Sequence, residues 1–168
     1  MKVCQRLEDA GFTAGTDDRR GYDHDVFISF KLIDPDADIP VLQLSMMESY
    51  NPTRHLAMGR ALAPLRNNDT LIISSGISHH NLPHFFIGRG DDMTESFDSW
   101  LGEAVINPAL REMNLPGWQT APAGKSAHPE PEHLLPLLVA AGAAEGKTGD
   151  CVYHDRIAEK PFSGFRFG

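Results

Sequence analysis

The sequence predicts an α/β fold in which a central, largely parallel sheet carries helices on both faces. Strand-like and helix-like segments alternate along most of the chain. The segment TLIISS, residues 70–75, is apolar on both faces, which is typical of a buried strand in a parallel sheet. The length of 168 residues suits one hydrophobic core. We therefore expect a single domain over residues 1–168.

The first half of the chain contains four candidate elements. Residues 2–10 predict a short helix that ends at Gly11. VFISFKLI, residues 26–33, fits either a strand or a buried helix, because its apolar run has no decisive period. IPVLQLSM, residues 39–46, predicts a buried strand, and apolar residues at helical spacing predict a helix over 53–66.

The second half continues the alternation beyond the strand at 70–75. ESFDSWLGEAVI, residues 95–106, predicts an amphipathic helix with an aromatic core-facing stripe. Residues 115–131 predict a long irregular loop, and EHLLPLLVAAGAAEG, residues 132–146, predicts a helix that ends at Gly146. The two terminal segments DCVYHD and FSGFRFG predict short strands.

Composition excludes several classes of function. The chain has 15 Lys and Arg against 23 Asp and Glu, a net charge of −8 with no basic run, so we expect no nucleic-acid partner. No apolar run approaches the roughly 20 residues of a membrane helix, so we expect no membrane partner. The two cysteines, Cys4 and Cys151, form no disulfide framework and fit a reducing cytoplasm.

The segment SSGISHHNL places two histidines directly after the predicted strand 70–75. Ligands of open α/β sheets bind beyond the carboxyl ends of strands, and neutral imidazole is a common ligand for transition metals. His79 and His80 are therefore candidate metal ligands, with Ser78 and Asn81 available to orient a ring. Taken alone, the spacing of the pair favours two turn histidines that bond to local backbone.

Two further histidines are candidates on local grounds. His133 begins the predicted helix 132–146, where the positive end of the helix dipole favours the neutral imidazole that a metal requires. His24 lies between Asp23 and Asp25, which suits a group that exchanges protons near neutral pH. The alternatives are an exposed residue in a first helical turn and a solvated acidic loop. We expect His55, His128 and His154 to be exposed.

Four motifs in order resemble the class III extradiol ring-cleavage dioxygenases, and most closely their DOPA-type branch. These are the segment from RRGYDHD to LQLSM, then SSGISHHNL, then AHPEPEHLLPLLVAAGAA, and finally FSGFRFG. Together they cover the chain from about Gly21 to Gly168, which makes the resemblance more specific than any single motif.

The resemblance implies an enzyme that opens a catechol-type ring with O₂ at a non-haem Fe(II), with zinc as the alternative metal. It implies that His80 and His133 are metal ligands, from the family's HNL turn and PxEHxLPL helix start. His24 matches the histidine of the family's DHG motif, which is thought to move a proton. Substrate-binding residues are not implied.

Two departures from the family pattern qualify these expectations. The chain lacks the HGSP and SAHW-like segments whose histidines complete the metal site, so we expect a member truncated at its N-terminus. A second chain or a homo-oligomer would then cover the missing part. Asp25 also replaces the usual glycine after His24. The alternative is a catalytically inactive binding or assembly module; a zinc hydrolase would need Glu130 or Glu132 as its base.

Overall fold

The computed structural model describes residues 2–87 and 92–168, which form helices followed by a C-terminal hairpin. In chain order the α-helices are α1 (Lys2–Asp9), α2 (His24–Ile33), α3 (Pro52–Leu62), α4 (Leu82–Ile87), α5 (Asp92–Ile106), α6 (Pro108–Asn114), α7 (Gly124–Ala127) and α8 (Leu135–Ala143). Two 3-10 helices, Ala63–Asn67 and Leu115–Thr120, continue α3 and α6. The strands are β1 (Gly149–Ile157) and β2 (Lys160–Phe167).

The mixture of helix and sheet is confirmed, but the described residues contain one sheet only, the antiparallel pair β1–β2. The predicted strands at 39–46 and 70–75 lie outside it, so the expected central parallel sheet is not found in the described part of the chain. A strand exists only when a neighbouring strand pairs with its backbone. The segment 26–33, whose sequence fits either a strand or a helix, belongs to α2.

These unpaired segments and α2 leave large apolar side chains in solvent. Leu71 is 80% exposed and Leu32 is 84% exposed, and α2 buries none of its residues. Exposed apolar residues of the same region are Phe27, Ile28, Ile33, Ile39, Leu42 and Ile73. An apolar surface of this extent is unusual on an isolated soluble domain.

The main core lies between α3, α5 and α8. Helices α3 and α8 cross with their backbones in contact: a Cβ on Gly59 would lie 2.0 Å from the Val139 carbonyl oxygen. A Cβ on Gly142 would lie 2.1 Å from the Leu56 carbonyl oxygen. Glycine is required at both positions because any side chain would separate the helices. The crossing holds α8 in place, and it therefore also holds the turn that precedes α8 in the chain.

Most of the remaining predictions of secondary structure are confirmed, and one is wrong in part. The helices expected at 2–10, 53–66, 95–106 and 132–146 and the terminal strands are confirmed. The irregular loop expected over 115–131 is wrong in part, because it contains a 3-10 helix and α7 and buries Trp118. Among the described residues, no helix is both long enough and apolar enough to cross a bilayer.

Candidate metal centre

His80 lies between the unpaired segment 70–75 and α4, in a turn held by buried backbone contacts. Its amide donates to the Ala127 carbonyl at 2.9 Å. Two residues earlier, the Ser78 carbonyl accepts from a ring nitrogen of His128 at 3.0 Å, and Ser78 Oγ accepts from the Ser163 amide at 2.9 Å. Contacts from the end of α7 and from β2 therefore fix the turn that presents the half-buried His80 ring.

His133 lies in the turn that precedes α8, two residues before the helix begins. Its carbonyl accepts from the Ile77 amide at 3.3 Å, so this turn lies directly against the turn that carries His80. Gly76 permits the approach: a Cβ there would lie 2.3 Å from the His133 carbonyl oxygen. The buried Leu134 and Leu135 anchor the other side of the turn in the core.

The two turns bring the rings of His80 and His133 into contact, with centroids 3.8 Å apart and planes tilted by 38°. Glu132 joins them, since its Oε1 lies 3.9 Å from His80 Nδ1. One ligand atom from each of the three residues lies within 4.8 Å of the other two. Imidazole and carboxylate are the donors that non-haem Fe(II) and zinc take. The cluster fits such an ion after a small closure of the side chains.

The surroundings of His80 favour the neutral imidazole that a metal needs. Partial burial lowers the pKa of His80, the neighbouring His133 lowers it further, and the Glu132 carboxylate acts in the opposite direction. A ligand histidine must lose its proton before it can bind an ion. The lowered pKa therefore reduces competition between protons and metal near neutral pH.

In the described part of the chain, His24 makes no recorded contact with this cluster. It is the first residue of α2, its side chain is 68% exposed, and its Nε2 lies 2.9 Å from Asp25 Oδ1. Within the described residues, no hydrogen bond, ion pair or ring contact joins it to His80, Glu132 or His133. Its role in proton transfer stays a prediction.

His79 points into an aromatic environment instead of joining its neighbour His80. Its buried ring lies 5.6 Å from the ring of His84, 6.1 Å from that of Phe85 and 6.5 Å from that of Phe162, measured between centroids. Asn81 donates to the Ser126 carbonyl at 2.7 Å and lies 3.2 Å from His84 Nε2. Of the adjacent histidines in the motif, His80 alone belongs to the candidate metal cluster.

Two histidines expected at the surface are buried, which corrects the sequence analysis. His55 bonds to the Asn51 carbonyl through Nδ1 and accepts from the Met47 amide through Nε2, so local backbone satisfies both ring nitrogens. His128 is 1% exposed because α7 turns its ring inward against Phe97 and Trp118. The expected exposure of His154 is confirmed.

His128 makes the stability of the protein depend on pH. Burial lowers its pKa from 6.5 to about 4, with smaller contributions from neighbouring histidines. Between these values the unfolded chain binds more protons than the folded one, so the free energy of unfolding should fall by about 2 kcal/mol from pH 7 to pH 5. Urea unfolding at both values measures the loss. His128→Gln removes the titrating group, and an equal pH dependence in that variant would contradict the assignment.

Comparisons with known proteins agree with the motif resemblance. A model of the family described as the catalytic LigB subunit of aromatic ring-opening dioxygenase matches residues 1–163. The chain is 41% identical over 157 residues to 4,5-DOPA dioxygenase extradiol of Portulaca grandiflora, covering 88% of this chain and 57% of that protein. It is 31% identical over 137 residues to 4,5-DOPA dioxygenase extradiol of Escherichia coli K12, covering 76% of this chain and 48% of that protein.

A solved structure resembles almost the whole fold. The crystal structure of uncharacterized protein JW3007 from Escherichia coli K12 matches with a TM-score of 0.82 at 27% identity, covering 99% of this chain and 72% of that one. The chain spans about half the length of the curated relatives that it matches. The match to the family model over residues 1–163 shows that the chain belongs to the family of the catalytic LigB subunit of aromatic ring-opening dioxygenase.

Proposed function

We propose that the chain carries the metal centre of an extradiol dioxygenase that opens a catechol-type ring with O₂. The contact between the His80 and His133 rings supports this most directly, because it joins the two motifs that resemble the family's metal ligands. The names of the Portulaca and Escherichia relatives point to DOPA or a similar catechol as substrate. The free cysteines Cys4 and Cys151 support a cytoplasmic location.

In this proposal His80 and His133 hold the ion as neutral imidazoles, and their backbone contacts keep the two rings together. When bound, a non-haem Fe(II) supplies a Lewis acid, a template for both catechol oxygens and electrons for O₂; zinc is the alternative occupant. His24 takes a proton from a substrate hydroxyl and later returns it. Its Nε2 faces Asp25, which leaves Nδ1 as the atom that exchanges the proton.

We extend the proposal to the parallel sheet that the sequence predicts. Residues 39–46 and 70–75 become paired strands when further strands lie beside them, supplied from outside residues 1–168 by the same polypeptide or by a second one. A groove of about 900 Å³ beside residues 69–78, α8 and β2 offers room for such a strand. The exposed Leu71 and Ile73 would then be covered. Further metal ligands would come from the same source.

Oxygen uptake tests the function. The protein is loaded with Fe(II) under anaerobic conditions, mixed with DOPA or catechol, and followed with an oxygen electrode and by absorbance of the ring-opened product. We expect uptake that needs both the metal and the substrate, with protein lacking metal as the control. The assay is repeated with the unmatched part of the Portulaca relative added as a separate polypeptide. Absence of uptake in both forms would contradict the proposed activity of this chain.

A further inference from the structure

We propose that His128 is a positioning residue for His80: its buried ring holds the peptide group that precedes His79, and this contact sets the direction in which the His80 side chain leaves its turn. The inference rests on the proposed function only in that His80 is taken as a metal ligand. In the described part of the chain, no hydrogen bond, ion pair or ring contact joins His128 to His80 or His133. His128 therefore acts through the backbone of Ser78 and not on the ion itself.

Two hydrogen bonds from the end of α7 hold the turn on either side of residue 79. His128 Nε2 donates to the Ser78 carbonyl at 3.0 Å, which joins residues 50 positions apart in the sequence. One residue earlier, the Ala127 carbonyl accepts from the His80 amide at 2.9 Å. Because peptide groups are planar, holding the groups before and after residue 79 also fixes the two backbone dihedrals of that residue. These dihedrals determine where the His80 ring points.

The His128 ring keeps this bond at a cost that packing does not explain. A carbonyl only accepts, so Nε2 carries the proton, and Nδ1 of the neutral ring is left as an acceptor. Burial lowers the pKa of His128 from 6.5 to about 4, so the ring is neutral near pH 7. Nδ1 is buried and has no hydrogen-bond partner among the described residues. An apolar side chain would avoid that penalty, and only an imidazole or a similar donor reaches the Ser78 carbonyl.

The backbone that carries His128 is held tightly against the core. The ring packs edge-on against Phe97 and Trp118, with centroids 5.4 Å and 5.9 Å away. A Cβ on Gly124 would lie 2.2 Å from the Trp118 carbonyl oxygen, so α7 lies directly on the preceding 3-10 helix. Ala123, at the start of α7, has a φ of 55°, a left-handed conformation that is strained for alanine. Such strain persists only where the surroundings hold the backbone, so α7 is a rigid support for the bond to Ser78.

Removing the N–H group of His128 while keeping an apolar side chain in its place tests the inference. In His128→Leu we expect Fe(II) affinity, measured by anaerobic calorimetric titration, to fall by about 10-fold or more, because groups that orient a metal ligand contribute to affinity on this scale. The visible spectrum of Co(II) bound in place of iron should change as well. In His128→Gln the amide supplies an N–H near the position of Nε2, so affinity should return to within about 3-fold of the unchanged protein, with its Co(II) spectrum.

His55→Leu is the matched control, because His55 is equally buried and also bonds to backbone. Its partners, Asn51 and Met47, lie outside the candidate metal cluster. We expect this variant to lower the urea midpoint of unfolding and to leave metal affinity within about 2-fold of the unchanged protein. If metal affinity instead follows the urea midpoint in both His55→Leu and His128→Leu, the role of His128 is stability alone and the inference is overturned.

Hydrogen exchange of the metal-free protein separates this inference from the proposed function. In His128→Leu the His80 amide should exchange about 10-fold faster or more, because its turn has lost a support, while amides within α8 keep their rates. Faster exchange together with no Fe(II) binding by the unchanged protein would refute the proposed function and still support the role of His128 in holding the turn. Unchanged exchange of the His80 amide with unchanged metal affinity would overturn the inference. Circular dichroism reports folding, and His128→Asn, whose amide is too short to reach Ser78, replaces a His128→Leu protein that does not fold.

Discussion

His133→Ala is expected to lower both metal affinity and oxygen-dependent ring cleavage by at least about 100-fold. The variant removes one of two imidazoles whose rings lie 3.8 Å apart, and alanine offers no atom that can replace the ligand. The backbone contact that joins the two turns uses the His133 carbonyl, which alanine retains. The loss should therefore come from the missing ring and not from a displaced turn.

Metal titration and oxygen uptake measure the effect of His133→Ala, and His154→Ala is the matched control. His154 lies on β1 with a side chain that is 55% exposed, and it contacts Asp98 and Ser163 rather than the metal cluster. We expect the control to keep both metal binding and activity. A His133→Ala protein that binds one ion with unchanged affinity would contradict the assignment of His133 as a ligand.

Gly142→Ala is expected to lower the free energy of unfolding by about 3 kcal/mol, a large part of the stability of a small domain. The new Cβ would lie 2.1 Å from the Leu56 carbonyl oxygen and 3.2 Å from the Arg60 nitrogen. Both atoms are backbone, so no side chain can rotate away, and α3 and α8 must separate. Separation would expose the buried Leu56 and Leu138 between them.

Gly102→Ala is the control for this substitution. Gly102 lies inside α5, and a Cβ there would have no neighbour within 4 Å. Alanine should then stabilise the helix by about 0.5–1 kcal/mol, because glycine is a poor helix former. Urea unfolding of both variants measures the difference. Equal stability of Gly142→Ala and Gly102→Ala would contradict the backbone contact between α3 and α8.

Patterns within short stretches of sequence correctly predict the helices and strands that form through contacts between residues close in sequence. Helices α3, α5 and α8 follow from apolar residues at helical spacing, and the terminal strands pair within a hairpin. Residues 70–75 have an equally clear strand pattern, but a strand requires a partner from elsewhere, and the described residues provide none. The sequence of residues 26–33 does not distinguish a strand from a helix, because a short apolar run fits both.

The candidate site followed from the sequence only in part. His80 and His133 are distant in sequence, and composition gives no reason to expect them in one site. The four motifs in family order are what indicate that both histidines are metal ligands. From the sequence, Glu132 suits only the role of a base in a hydrolase, because nothing in its spacing from His80 indicates a contact. His128 looked exposed from its loop-like sequence, while the structure buries it between aromatic rings. Burial of polar residues in irregular segments depends on tertiary packing, which local patterns do not report.

Anomalous X-ray diffraction at the iron edge, from crystals of the Fe(II)-loaded protein, tests the metal centre most directly. We predict a single strong peak between His80 and His133, about 2.0–2.2 Å from one ring nitrogen of each residue. A fully occupied iron elsewhere, or rings that stay free at saturating Fe(II), would contradict the claim that these two histidines hold one ion.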